Sequence, residues 1–124
     1  MSDERLQSFE EFWPFYVGEH RLPSCRAVHY VGSFAAPATL AWVIATGSWL
    51  FLPLVLVAGY GPAWVGHFII EKNRPATFTY PVWSLIGDYK MLSYALRGKM
   101  ADEVTRLYGS ASPAKDAPLL VDAA

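Results

Sequence analysis

A single cysteine, Cys25, stands in the 124-residue sequence. That excludes a disulfide framework and a multi-cysteine zinc site. Charge is scarce as well: Asp, Glu, Lys and Arg make up 17 % of the chain, against about 25 % in an ordinary soluble domain. Ten basic side chains against eleven acidic ones leave a net charge of −1. Such a balance offers no cationic field for nucleic acid. There is no internal repeat and no glycine-rich phosphate loop. The first eleven residues are polar and acidic and lack the apolar segment of a secretory signal. What the chain has in abundance is apolar surface, 53 % hydrophobic residues including 5 Trp, 7 Tyr and 7 Phe. Intrinsic disorder is excluded on that ground. One domain is expected from the length, either an unusually apolar small globule or a small membrane protein.

The distribution of charge favours the membrane protein. Between Arg26 and Glu71 lie 44 residues without one Asp, Glu, Lys or Arg. A spanning helix needs about 20 mostly apolar residues, so this interval holds two spans, over residues 28–46 and 50–70, joined by a turn at Gly47-Ser48-Trp49. Trp49 and Trp64 suit interface depth. Arg21 and Arg26 precede the hairpin and Lys72 and Arg74 follow it, which predicts that both ends face the cytoplasm. The alternative is a helical hairpin buried in a soluble core.

The flanks read as helices. Ser8-Phe9-Glu10-Glu11 fits a capping box, with Ser8 accepting from the Glu11 N–H and Glu11 reaching back to the cap. The helix it starts extends to about His20, with Pro14 as a kink or a delayed start. Phe9, Phe12, Trp13 and Tyr16 form an apolar stripe on it. Pro23 removes Leu22 from helical geometry and suits the first turn of the next helix. Residues 76–87 are uncharged but too short to span, which suggests a re-entrant or interfacial piece. Residues 88–98 and 101–108 read as surface helices. The fold class is therefore all-α: a small helical membrane protein with a central transmembrane hairpin and flanking interfacial helices. Residues 1–108 form the single domain and 109–124, rich in Ala, Pro and Ser, a flexible tail.

The chain has three histidines, His20, His29 and His67, and all of them border or enter the apolar interval. Neutral imidazole is the commonest protein metal ligand. His67 and Glu71 are four apart and share a helix face. His20 and His29 are nine apart, a rotation of about 900° that would put them on opposite faces of one straight helix. Pro23 breaks the helix between them and lets both side chains converge. On spacing alone, three metal ligands and three hydrogen-bonded core histidines are both open readings.

Longer stretches carry more. His20-Arg21-Leu22-Pro23-Ser24-Cys25-Arg26-Ala27-Val28-His29, then His67-Phe68-Ile69-Ile70-Glu71-Lys72-Asn73-Arg74-Pro75-Ala76, then Pro81-Val82-Trp83-Ser84-Leu85-Ile86-Gly87-Asp88 resemble a family of small integral-membrane proteins. Its yeast member is a 2-hydroxy fatty acid dioxygenase that acts in breaking phytosphingosine down to odd-numbered fatty acids. The resemblance extends over residues 9–100. It departs at Cys25, where family members often carry Asn, and this leaves the role of Cys25 open.

The resemblance implies Fe(II)-dependent α-oxidation, in which a long-chain 2-hydroxy fatty acid and dioxygen give a fatty acid one carbon shorter. It implies His20, His29 and His67 as iron ligands, with the 2-hydroxy and carboxylate oxygens of the substrate chelating the metal. Glu71 is then either a carboxylate ligand or an acceptor that orients an imidazole. Asn73, Arg74 and Asp88 are candidates for the polar rim of the catalytic site. Arg74 or Lys72 would offset the substrate carboxylate or serve as interfacial anchors, and Asp88 alternatively caps the helix that follows it. The bilayer is the expected partner and, for a bacterial chain, the cytoplasmic membrane the expected location. Three histidines are too few for the di-iron membrane hydroxylases and desaturases. A non-catalytic lipid-binding scaffold and a zinc-dependent membrane hydrolase are the rival readings.

Overall fold

The structure, a computed structural model, describes residues 6–120. Residues 1–5, which begin the polar N-terminal stretch, and 121–124, the end of the expected tail, lie outside the described residues. All regular structure among the described residues is helical. Helix α1 spans Phe9–Gly18, α2 Pro23–Thr46, α3 Leu54–Val65, α4 Pro81–Leu96 and α5 Met100–Tyr108. A 3-10 turn, Trp49–Phe51, precedes α3, and a π-helical turn, Gly66–Glu71, extends it.

Two layers of burial divide the molecule. In the first, α1 lays its aromatic stripe against α4 and α5, and Phe12, Trp13, Tyr16 and Val17 join Tyr80, Met91, Val104 and Leu107 in one core. The Trp13 indole N–H donates to Glu103 (2.7 Å), which also pairs with Arg106 (2.8 Å). This satisfies the polar edge of a buried ring. Ser8 caps α1 by accepting from the Glu11 N–H at 3.2 Å. The reciprocal bond from Glu11 goes to the Gln7 N–H (2.9 Å) rather than to the cap residue. Helix α1 runs through Pro14 without interruption, and its carbonyl accepts from the Tyr108 hydroxyl (2.7 Å).

The second layer is the hairpin. Pro23 occupies the first turn of α2, and Gly47 ends it in the left-handed region at φ 68°, a conformation glycine adopts without steric cost. The segments Pro23–Thr46 and Trp49–Glu71 are long and apolar enough to cross a membrane. At 1.5 Å per residue the 24 residues of α2 extend about 36 Å. Only 22 % and 11 % of their apolar windows are buried within the chain. Val31, Phe34, Trp42, Ile44, Leu56 and Val57 point outward. A hairpin enclosed in a soluble core would show the opposite; this exposed apolar surface suits a membrane.

The two long helices cross closely at Gly32. A Cβ there would lie 2.5 Å from the carbonyl oxygen of Gly59, and backbone cannot yield as a flexible side chain does. Gly32→Ala is expected to force the helices apart at a cost of roughly 1–3 kcal/mol. Thermal unfolding in detergent checks this, with Gly61→Ala, whose Cβ would meet nothing within 4 Å, as the control that should unfold like the wild type.

The third segment departs from the sequence reading. Residues 76–87 are not a separate interfacial piece, because α4 begins at Pro81 and runs unbroken to Leu96. Pro81 starts the helix, its fixed φ suiting the first position. Asp88 therefore lies inside α4 and caps nothing. Residues beyond α5 return to the hairpin base: Ala111, Ala114 and Ala117 carbonyls accept from Arg26 and Arg21, and Leu120 N–H donates to Leu107 (2.8 Å).

Candidate metal centre

Three separate local structures bring the histidines together. His20 sits in the turn between α1 and α2, His29 on the second turn of α2, and His67 in the π-helical turn after α3. They are 1 %, 4 % and 3 % exposed. The His20 and His29 Nε2 atoms are 3.1 Å apart, and those of His29 and His67 are also 3.1 Å apart. One ligand atom from each ring lies within 4.8 Å of the others.

The opposite edge of each ring decides what those Nε2 atoms are. His20 Nδ1 lies 2.6 Å from the Tyr16 carbonyl, and His29 Nδ1 lies 2.8 Å from the Cys25 carbonyl. His67 Nδ1 lies 2.7 Å from Asn73 Oδ1. The Asn73 amide is itself oriented, since its NH₂ donates to the Glu19 carbonyl (3.1 Å). Carbonyl oxygens only accept, so all three Nδ1 atoms carry the proton and all three Nε2 atoms present lone pairs. Burial, with the neighbouring imidazoles adding to it, presses the pKa of His20 well below its ordinary value. That disfavours a shared proton as the remedy for three facing lone pairs. A metal cation bound by three Nε2 atoms is the remedy that suits this donor set, with each Nδ1–H anchored in the manner usual for metal-bound histidine.

The space beside the rings fits the same conclusion. A cavity of about 10 Å³ touches all three histidines, Tyr16, Ser84 and Asp88. That is room for an ion or a single water. Ser84 is 2 % exposed and its hydroxyl has no hydrogen-bond partner among the described residues. A buried hydroxyl without a partner costs about 1–3 kcal/mol, so the cavity is built for a polar occupant. A second, larger cavity of about 210 Å³ adjoins the first and shares His29, Tyr60, Ala63 and Asp88 with it. Opposite the histidines the Tyr16 phenol donates to Asp88. Burial raises both groups, Asp88 to about 6 despite the bond from Tyr16.

Residues 6–100 match the family model described as 2-hydroxy-palmitic acid dioxygenase Mpo1-like. The chain belongs to the Mpo1-like family. No curated protein and no solved structure gives a match to it. The Mpo1-like region contains the three histidines and every side chain that lines the two cavities.

Within that region the remaining predicted residues take different places. Glu71 is 2 % exposed but stands outside the three-histidine group. Its carboxylate accepts from the Leu22 N–H at 2.6 Å and sits beside the Cys25 thiol. On a regular α-helix His67 and Glu71 would share a face; the π-helical turn separates them and turns Glu71 toward the α1–α2 loop. Lys72 ends the turn in the left-handed region at φ 60°, which returns the chain so that Asn73 N–H reaches the His67 carbonyl (2.8 Å). Asn73 thus supports His67. Lys72 and Arg74 are exposed, line neither cavity, and Arg74 lies over the Phe78 ring at 5.2 Å. Asp88 does face the centre.

Four participants escaped the sequence reading. Arg26, 5 % exposed, donates to the His20 and Arg21 carbonyls (2.8 and 2.9 Å) and pins the loop that carries His20. Tyr16 reads in the sequence as part of the packing stripe, yet its carbonyl accepts from His20 and its phenol donates to Asp88. Ser84 lies four residues before Asp88 and so on the same face of α4, a spacing that would have exposed it. Gly66 lets the π-helical turn approach α2, because a Cβ there would lie 2.9 Å from the Cys25 sulfur and 3.2 Å from His29 Cε1.

Proposed function

We propose that this chain is a non-haem iron(II) dioxygenase of the membrane that converts a long-chain 2-hydroxy fatty acid into a fatty acid one carbon shorter. The observation that carries this reading is the meeting of three buried, Nδ1-anchored imidazoles at one point, in a chain of the Mpo1-like family. His20, His29 and His67 would hold the ion. Iron(II) in such a nitrogen site supplies the redox chemistry with dioxygen and the open positions that facial oxygenase sites use. The overall change, 2-hydroxy acid and dioxygen to the shorter acid, carbon dioxide and water, balances with dioxygen as the sole oxidant.

The chain's own residues do the rest. The Tyr16, Cys25 and Asn73 oxygens hold the imidazoles in one tautomer and one orientation. Arg26 and Glu71 fix the loop on either side of His20. The Ser84 hydroxyl is free to bond an oxygen atom in the small cavity, and Tyr16 keeps Asp88 oriented beside it. Close packing around the rings excludes bulk water. The bilayer concentrates the substrate, since each methylene transferred to an apolar phase gains about 0.8 kcal/mol. The basic residues at the hairpin base, Arg21, Lys72 and Arg74, suit the cytoplasmic interface, and the metal centre lies at that same end.

Oxygen uptake tests the reading. Protein purified without air and loaded with ferrous iron should consume dioxygen when given 2-hydroxypalmitate and release pentadecanoate. It should be inert toward palmitate, which lacks the 2-hydroxyl. Equal uptake with both acids, or none with either, would contradict it.

A further inference from the structure

The larger cavity has a shape that the metal centre alone does not explain. It lies between α2, α3 and α4, and its walls come from Gly32 and Ala36 on α2, Val55 and Gly59 on α3, and Leu85 on α4. One end is polar: His29 and Asp88 belong to both cavities. The other end is apolar and opens sideways, for Leu56 and Leu85 at its rim are 61 % and 55 % exposed. Those side chains belong to the outward-facing apolar surface of the hairpin and of α4. The groove therefore runs from the exposed apolar faces of the helices to His29 and Asp88, which it shares with the small cavity.

Its width is set by small residues. Gly32 and Gly59 hold α2 and α3 in near contact at the floor, and a Cβ at Gly59 would lie 3.2 Å from that of Ala36. A larger residue at position 36 would occupy the groove itself. Tyr89 closes one flank, its hydroxyl donating to the Ser33 carbonyl (3.0 Å). The result is a narrow apolar slot with a metal-ligating imidazole and a carboxyl at its inner end. An amphiphile with a polar head and a single unbranched tail fits it head first. A globular partner does not fit a cavity of about 210 Å³, and the part of a long acyl chain beyond that volume lies along the open apolar side.

We propose that this groove is the acyl-chain site: the fatty tail of the substrate enters sideways between α3 and α4, lies along Ala36, Val55 and Gly59, and delivers its head to the histidines. The inference rests on the dioxygenase reading. It adds the route of entry and the residues that select chain length.

Two measurements test it on the full-length, iron-loaded protein in lipid nanodiscs. The first is independent of turnover. A 2-hydroxypalmitate with a photoreactive diazirine at mid-chain, irradiated under nitrogen, should label residues 55–59 or 85–89, and excess 2-hydroxypalmitate should suppress the labelling. The second compares substrates. Ala36→Leu from α2 and Leu85→Trp from the exposed rim of α4 should each lower the 16-carbon to 8-carbon ratio of kcat/KM about tenfold, the equivalent of roughly two methylenes displaced. Leu85→Trp keeps the test valid if Ala36→Leu fails to fold. Labelling elsewhere on the hairpin, labelling that excess substrate does not suppress (a resident-lipid site), or an unchanged ratio in both variants would overturn the groove assignment while wild-type turnover persists. Absence of wild-type turnover with every 2-hydroxy acid would overturn the dioxygenase reading instead.

Discussion

His67→Ala will leave a folded protein that binds no iron and turns nothing over. The imidazole is 3 % exposed and its Nε2 lies 3.1 Å from that of His29. Its loss removes one of three nitrogen donors. Two imidazoles remain, and among the described residues no other His, Cys, Asp or Glu belongs to the group. The truncation also leaves Asn73 Oδ1 without its partner, a penalty of about 1–3 kcal/mol. Metal content should therefore be read alongside circular dichroism and the Tm, to separate ligand loss from unfolding. His20→Ala and His29→Ala should behave alike. Retention of iron and turnover by the His67→Ala protein would remove His67 from the ligand set.

Glu71 gives the second large effect, and its sign separates two roles. As an anionic ligand, Glu71 could not be replaced by Gln without loss of metal. In its observed position it accepts from the Leu22 N–H at 2.6 Å, a task the Gln side-chain carbonyl also performs. Glu71→Gln is therefore expected to keep its iron and most of its turnover. Glu71→Ala leaves the Leu22 N–H unpaired and a void beside it, costing about 1–3 kcal/mol for the lost acceptor alone. Leu22 stands two residues after His20, so the loop that holds this ligand loosens. Metal affinity should fall about 10–100-fold, as it does when the outer partners of metal ligands are removed. Metal titration of both variants checks this, and a Gln variant as poor as the Ala variant would restore Glu71 to the ligand set.

The legible and the hidden parts of the site differ in a physical way. The hairpin was readable because 44 successive uncharged residues have few uses outside a membrane, and the two helices long and apolar enough to cross one, Pro23–Thr46 and Trp49–Glu71, stand where the charge map put them. Convergence of His20 and His29 followed from Pro23, whose ring must interrupt a helix that would otherwise hold them on opposite faces. The π-helical turn at Gly66–Glu71 had no such marker. It is an adjustment to tertiary packing, and it separates His67 from Glu71 while returning Asn73 to support the ring. Asp88 reads in the sequence as a polar-rim candidate or, because it follows a glycine, as a helix cap. Gly87 is small for another reason: the Tyr16 ring packs against it, 3.1 Å from where its Cβ would stand. Arg26 reads in the sequence only as a basic residue flanking the apolar run, because the carbonyls it binds belong to a loop whose course only the fold reveals.

Metal analysis of the wild-type protein, expressed with iron and zinc both supplied and purified under nitrogen, addresses the central claim most directly. Three anchored imidazoles serving an oxygenase predict iron close to stoichiometric with the chain, lost on chelation and restored by ferrous salt together with oxygen uptake. Stoichiometric zinc without oxygen uptake, or a chain that folds fully and takes up no metal at all, would contradict the account.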